Sequence, residues 1–177
     1  MHYSYTDFAS RKPVELVERL NEILPMQCKY FLASGGTEAN EAALKVARHF
    51  TKRQLFIGFI GSFHGRTFGT MAFSSPSPDQ RRHFHPVMPG ITLVPYSYCH
   101  RYPYKLEYPG CNLWCVDFID EWVLRKSVPP EDVAAFFFEP IAGEGGYIVP
   151  PPEFFTKLKT IADRHAILMI ADMDWDS

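Results

Sequence analysis

An α/β fold, with a mostly parallel sheet flanked by helices, is what this sequence predicts, and three observations carry it. Residues 54–59, 133–138 and 166–171 are strand-sized, near-continuous apolar runs, so a sheet built from them needs cover on both faces. Between such runs lie stretches with apolar residues three and four apart, the stripe of a packed helix. A glycine pair, Gly35-Gly36, opens one of these helices directly, as in a strand-turn-helix unit.

The elements follow in order. Apolar residues at 13, 16, 17, 20, 23 and 24 form one stripe that begins at Pro13 and stops before Pro25, which predicts an amphipathic helix covering something apolar. Residues 29–33 read as a short strand running into Ser34-Gly35-Gly36, and residues 37–50 as the helix after it. Residues 54–59 give a buried strand. From 74 to 109 the chain is rich in Pro, Ser, Tyr and His and too long for a plain connection, so it should hold a short strand at 91–94 with functional or interface loops around it. Phe118, Ile119, Trp122 and Val123 align as one face of a helix over 116–124. Residues 133–138 are a wholly buried strand. Phe154, Phe155, Leu158, Ile161 and Ala162 share a face of a proline-started helix over 152–165, which leads into the last strand, 166–171. There is no internal repeat and no low-complexity tract.

Composition narrows the class. The 177 residues, enough for one ordinary domain, are 46% apolar and 21% charged, with a formal charge of -2 and no long block of like charge, so no electrostatic footprint for nucleic acid is present. The longest apolar runs fall far short of the ~20 residues of a membrane span, and Met1-His2-Tyr3-Ser4-Tyr5-Thr6 lacks the regions of a signal peptide. A cytoplasmic protein is the expectation. Cys28, Cys99, Cys111 and Cys115 contain no C-x-x-C pair, and free thiols, with no metal site, are expected of them.

Chemistry is expected where polar groups follow strand ends: Ser34-Gly35-Gly36-Thr37, Glu139 after Phe138, and Asp172 after Ala171. Open α/β sheets bind ligands outside the carboxyl ends of their strands, so these groups should meet in one crevice. The helix opened by Gly36 has an acidic first turn and Lys45 and Arg48 toward its end, which suits its dipole, and its first free N–H groups are able to hold a phosphate. The same residues also fit an ordinary glycine turn capped by Thr37. Neither a Walker loop nor the dinucleotide fingerprint is present. Glu139 and Glu144 flank Pro140 and a glycine turn, a spacing that also suits a hydrolase carboxylate pair.

In combination, Ser34-Gly35-Gly36-Thr37-Glu38-Ala39-Asn40-Glu41, Phe63-His64-Gly65-Arg66-Thr67, Glu139-Pro140-Ile141-Ala142-Gly143-Glu144-Gly145-Gly146 and Ile170-Ala171-Asp172, in this order, resemble the class III aminotransferases, pyridoxal 5'-phosphate enzymes such as 4-aminobutyrate and ornithine aminotransferases. The resemblance covers almost the whole chain. It implies the large domain of the pyridoxal-phosphate-dependent transferase fold (fold type I) and amino transfer from an amine or ω-amino acid to a 2-oxo acid.

On matching positions, the resemblance implies that Gly36 and Thr37 hold the cofactor phosphate and that Phe63 stacks on the pyridine ring with His64 adjacent. Asp172 would pair with the protonated ring nitrogen, keeping the ring an electron sink. Glu139 would line the site, and Glu144 would be the glutamate that pairs with a switching arginine. Ala142 stands where the family has glutamine, and Asp172-Met173-Asp174-Trp175 where it has Asp-Glu-Val-Gln.

In the family the Schiff-base lysine, the rest of the large domain and the small domain follow the position of Ser177, and an amino-terminal portion precedes Met1. Residues 1–177 are thus expected to be a partial large domain, truncated at both ends, with no complete small domain. Lys29, Lys45, Lys52, Lys105, Lys126, Lys157 and Lys159 fall on helices or outer loops, and none takes a family lysine position. The isolated chain is therefore expected not to transaminate. The family's active site forms between two subunits, which implies a homodimer, with Tyr96, Tyr98, Tyr102, Tyr104 and Trp114 facing a partner or water. Two other readings stay open: a truncated product that keeps a phosphate cradle without turnover, and a nucleotide-binding module, against which the missing lysine and third glycine count.

Overall fold

A computed structural model describes residues 10–101 and 103–173. The chain divides into two compact units, Met1–Gly35 and Gly36–Ser177.

In the first unit, helix α1 (Arg11–Ile23) ends as Leu24 turns extended, one residue before Pro25. The predicted helix forms, but its apolar stripe is not covered: no residue of α1 is buried, and Val14 and Ile23 are 55% and 62% exposed. The strand expected at 29–33 does not form. That segment keeps a strand's alternation, with Tyr30 and Leu32 half-buried and Phe31 exposed. The Tyr30 hydroxyl instead donates to Asn21 Oδ1 at 2.7 Å, and Tyr30 and Leu32 share a cleft with Val14 and Val17 of α1.

The second unit holds α2 (Gly36–Thr51), β1 (Leu55–Ile60), a one-turn helix α3 (Phe68–Met71), β2 (Ile91–Pro95), α4 (Trp114–Phe118), β3 (Val133–Phe138), α5 (Glu153–His165) and β4 (Leu168–Ala171). The strands form one four-stranded sheet in the order β2-β1-β3-β4, and every pair is parallel. Alternate residues of one strand feed two different cores. Ile57, Phe59, Phe136 and Phe138 pack with Val116, Ile119, Phe154 and Leu158, while Phe56, Ala135 and Phe137 pack with Leu44 and Ala47 of α2 and with Phe73. This is why the strand sequences show no polar alternation. At Gly58 a Cβ would lie 2.8 Å from Phe73 Cδ1, so the missing side chain lets Phe73 settle on the sheet.

Two element boundaries differ from expectation for local reasons. The helix after Leu113 is α-helical only to Phe118 and continues as a π-helix over Ile119–Leu124. Wider i→i+5 bonding, seen in Val128 N–H donating to Val123 O at 2.8 Å, changes the phase of the turn. Val123 and Leu124 go inward, whereas Trp122, aligned with them in an ideal helix, is 54% exposed. At the other boundary Ala166 takes φ 52° as the left-handed residue that ends α5, so β4 starts at Leu168 and not at Ala166.

The aromatic segment also turns out differently. Tyr96 is 3% exposed within the chain's own core and its hydroxyl donates to the carbonyls of Glu139 and Pro140. Tyr98 and Tyr104 are half-buried against that core, and Tyr102 lies outside the described residues. Tyr96 therefore needs no partner to cover it. Among the described residues no disulfide forms, no cluster of three His, Cys, Asp or Glu is placed to hold a metal ion, and no helix is long and apolar enough to cross a membrane.

Candidate functional site

Parallel strands put all their carboxyl ends on one side of the sheet, and four of the predicted residues follow β1, β3 and β4 there. Loop Gly61–Gly65 leaves β1 and carries Phe63 and His64, Glu139 follows β3, and Asp172 follows β4, with its N–H still donating to Phe138 O at 2.9 Å. One helix reaches all this from below. Thr37, Asn40 and Glu41 are three and four residues apart on α2 and so share a face.

Asp172 and His64 form the centre. His64 Nδ1 lies 2.8 Å from Asp172 Oδ2, and the imidazole is stacked on Phe137 with ring centroids 4.1 Å apart. The Asn40 side-chain amide donates to the same Oδ2 at 2.8 Å and to the backbone oxygen of His64 at 3.0 Å. Asp172 Oδ1 accepts no hydrogen bond among the described residues, and the side chain is 12% exposed, so one oxygen is held and the other is presented. His64 is wholly buried as a side chain, and its Nε2 has no partner among the described residues. Its backbone N–H is fixed by Ser74 Oγ at 2.9 Å.

Gly65 joins the loop to α2. It sits at φ 125°, and a Cβ there would lie 2.3 Å from Thr37 Oγ1 and 2.8 Å from Thr70 Oγ1, so only glycine admits both hydroxyls. Glu41 ties the next stretch: its carboxylate accepts from the Thr67 hydroxyl and, at 3.2 Å, from the Thr70 N–H at the start of α3.

Glu139 is 1% exposed and lies beneath the site. Its Oε2 accepts the Phe63 N–H at 2.9 Å and its Oε1 the Gly143 N–H at 3.1 Å. Burial raises its pKa above the ordinary carboxylate value, and the two N–H bonds, from Gly143 and Phe63, oppose that. The carboxylate thus ties the loop after β1 to the glycine turn after β3. Glu144 is exposed on the glycine turn that Ala142 and Ile148 close by an antiparallel bridge, outside the hydrogen-bonded cluster. At Gly145 a Cβ would lie 2.3 Å from Gly61 O, so this turn abuts the end of β1.

Phe63 is half-buried with the Arg66 guanidinium 5.3 Å from its ring centroid. Gly36 is exposed and Thr37 half-buried, in the first turn of α2. Among the described residues no lysine hydrogen-bonds or ion-pairs with His64, Glu139 or Asp172; Lys157 pairs with Asp117 and Lys159 with Asp163. Asp174 and Trp175 lie outside the described residues. Asn40, Glu41 and Gly65 stand in the motifs quoted above without a role of their own, and Ser74 stands outside them. Asn40 alone carried a signal, as an amide on the helix face that also bears Leu44 and Ala47.

A parallel sheet whose strand ends gather a histidine-held carboxylate beside a glycine-led helix defines an α/β domain of the class that binds ligands outside the carboxyl ends of its strands. The family model for class-III aminotransferases matches residues 1–173, and the chain belongs to that family. Its relatives include an alanine/serine racemase of Pyrococcus horikoshii, 32% identical over 92% of this chain and 35% of that protein. A 4-aminobutyrate aminotransferase of Escherichia coli is 33% identical over 97% of this chain and 39% of its own length. Among solved structures, an amine transaminase from an uncultivated Pseudomonas species in a pyridoxal-phosphate-bound form superposes with TM-score 0.87 at 26% identity, over 97% of this chain and 40% of that one. An (S)-enantioselective ω-transaminase of Thermomicrobium roseum gives 0.84 at 28% identity, over 95% of this chain and 38% of that one. The chain spans roughly two fifths of these proteins or less, and its fold is that of the pyridoxal-phosphate-dependent transaminases.

Proposed function

We propose that this chain supplies the cofactor-binding part of an aminotransferase that moves an amino group from an amine or ω-amino acid, of the 4-aminobutyrate kind, to a 2-oxo acid. The observation that carries the reading is Asp172, with Oδ2 held by Asn40 and His64 and Oδ1 accepting no hydrogen bond among the described residues, an arrangement that suits a protonated ring nitrogen. Pyridoxal phosphate, when bound, contributes an electron-withdrawing ring that stabilises the carbon losing its proton.

The chain's own residues do the rest. Asp172 keeps the proton on the ring nitrogen, and Asn40 and His64 keep Asp172 aimed. Phe63 covers a ring face, and the first-turn N–H groups at Gly36 and Thr37 hold the phosphate. Glu144, exposed on its turn, meets the substrate side. The four free cysteines suit a reducing compartment such as the cytoplasm, and a homodimer is the assembly the family resemblance implies.

Equilibrium binding of pyridoxamine 5'-phosphate, which needs no lysine, tests the reading. We expect saturable binding that Asp172→Asn weakens and that Gly36→Val weakens along with inorganic phosphate. Indifference of the affinity to Asp172→Asn would sink it.

A second reading, racemisation at the α-carbon of an amino acid, is favoured by the alanine/serine and leucine/methionine racemases among the relatives. With a small primary amine added to stand in for a lysine, 4-aminobutyrate separates the two. It has no stereocentre, so consumption of 2-oxo acid with this donor marks amino transfer, and racemised alanine without such consumption marks the other.

A further inference from the structure

The buried carboxylate of Glu139 is assigned to neither cofactor nor substrate in the reading above, yet it is the group in which two loops of the site meet. Phe63 and Gly143 are eighty residues apart in sequence, and their N–H groups end on the two oxygens of one side chain, at 2.9 and 3.1 Å. The side chain's own backbone is held from the other side, because the Tyr96 hydroxyl donates to Glu139 O at 2.9 Å and to Pro140 O at 3.1 Å. The two loops also touch directly, Gly145 against Gly61 O. A glutamate that cannot move, bound at both oxygens, fixes the separation of whatever those loops carry: the Phe63 ring on one and the Glu144 carboxylate on the other.

We propose that Glu139 is a positioning residue that sets Phe63 and Glu144 relative to each other, so that one buried carboxylate aligns the ring-stacking wall and the substrate-side turn. This rests on the cofactor reading above for what Phe63 and Glu144 do, but the tie itself does not. The chemistry demands an ionised acceptor. Two N–H donors are satisfied by two carboxylate oxygens, whereas a glutamine presents one acceptor and turns an NH₂ group toward the other donor. Protonation acts the same way, placing an O–H where an N–H points. The ionisable groups that face Glu139 are His64 and Asp172.

The experiment follows the amide proton shifts of Phe63 and Gly143 in the 177-residue chain as pH falls, in wild type and in Glu139→Gln. Both are expected to titrate together with one midpoint, above the ordinary glutamate value, and neither to titrate in the variant. Separate midpoints, or two flat curves in wild type, overturn the tie without any reference to cofactor. In the same samples, Glu139→Gln should weaken pyridoxamine 5'-phosphate about tenfold, or ~1.4 kcal/mol, while leaving inorganic phosphate unchanged, because the α2 cradle is untouched. Equal loss of both ligands means a general structural role and overturns the positioning role. Unchanged pyridoxamine 5'-phosphate binding also overturns it. If instead Asp172→Asn has no effect while the two amides still titrate together, the cofactor reading fails and the tie stands.

Discussion

At the scale of single residues, the site depends on side chains that hold other side chains. Asn40→Ala removes one of two donors to Asp172 Oδ2 and the amide that holds His64 O, both part-buried or buried, so a stability loss of about 1–3 kcal/mol is expected in urea unfolding. Pyridoxamine 5'-phosphate binding should weaken with it. Gly65→Ala should cost more than an ordinary glycine substitution, about 2 kcal/mol or above, since it adds both a φ 125° penalty and a clash with Thr37 and Thr70. A melting temperature unchanged by Gly65→Ala would contradict that close approach.

Glu139 gives a pH dependence of definite sign. Burial lifts its folded-state pKa above the unfolded value, so the folded chain holds this proton more tightly. The group's favourable contribution is full below the ordinary glutamate value and is lost as pH rises through the raised one. The difference in stability between wild type and Glu139→Gln should therefore change across that window, with wild type falling relative to the variant as pH rises.

At the scale of elements, one cation closes the amino-terminal side of the sheet. The Arg53 guanidinium donates from Nη1 to the carbonyls of Val133, His165 and Ala166, at 3.1, 3.0 and 3.0 Å, joining the start of β3 to the end of α5. Arg53→Ala should lower stability by about 1–3 kcal/mol, and Arg53→Lys should not restore it, because the shorter lysine side chain does not carry its ammonium to the position of Nη1. Rescue by lysine would show that charge alone suffices. The elements themselves were legible wherever burial alone sets the pattern: β3 runs over the six residues, Val133–Phe138, that the apolar run marks out. They were not legible where a partner decides. Residues 29–33 have a strand's alternation but take no strand assignment, their Tyr30 bonding instead to Asn21 of α1, and Trp122 faces out because a π turn shifts the phase that 3.6-residue counting assumes.

At the scale of the whole molecule, much apolar surface stays uncovered. Ile23, Met26 and Phe31 in the first unit are 62%, 68% and 64% exposed, and Phe50, Trp122 and Val149 in the second are 74%, 54% and 69% exposed. Such surface favours association, so the chain made alone is expected to sediment as a dimer or larger species; a compact monomer at high protein concentration would refute this. Among the described residues no lysine hydrogen-bonds or ion-pairs within the cluster around Asp172, so the chain alone should bind pyridoxamine 5'-phosphate without turning over 4-aminobutyrate. Measurable turnover without an added amine would show that one of its own lysines reaches the site.

By itself the sequence determined the family and the sheet's buried strands and singled out Phe63, His64, Glu139 and Asp172 as candidates, because these are written in contiguous motifs and in the period of apolar residues. Only the tertiary structure decided what each does beside the others. That Glu139 spends both oxygens on backbone N–H groups, and that Asn40 reaches across 132 residues of chain to Asp172, follows from how α2 and the strand ends meet in space. Hydrogen-bond partnership between distant segments is a property of distance and angle, and neither is present in the order of residues.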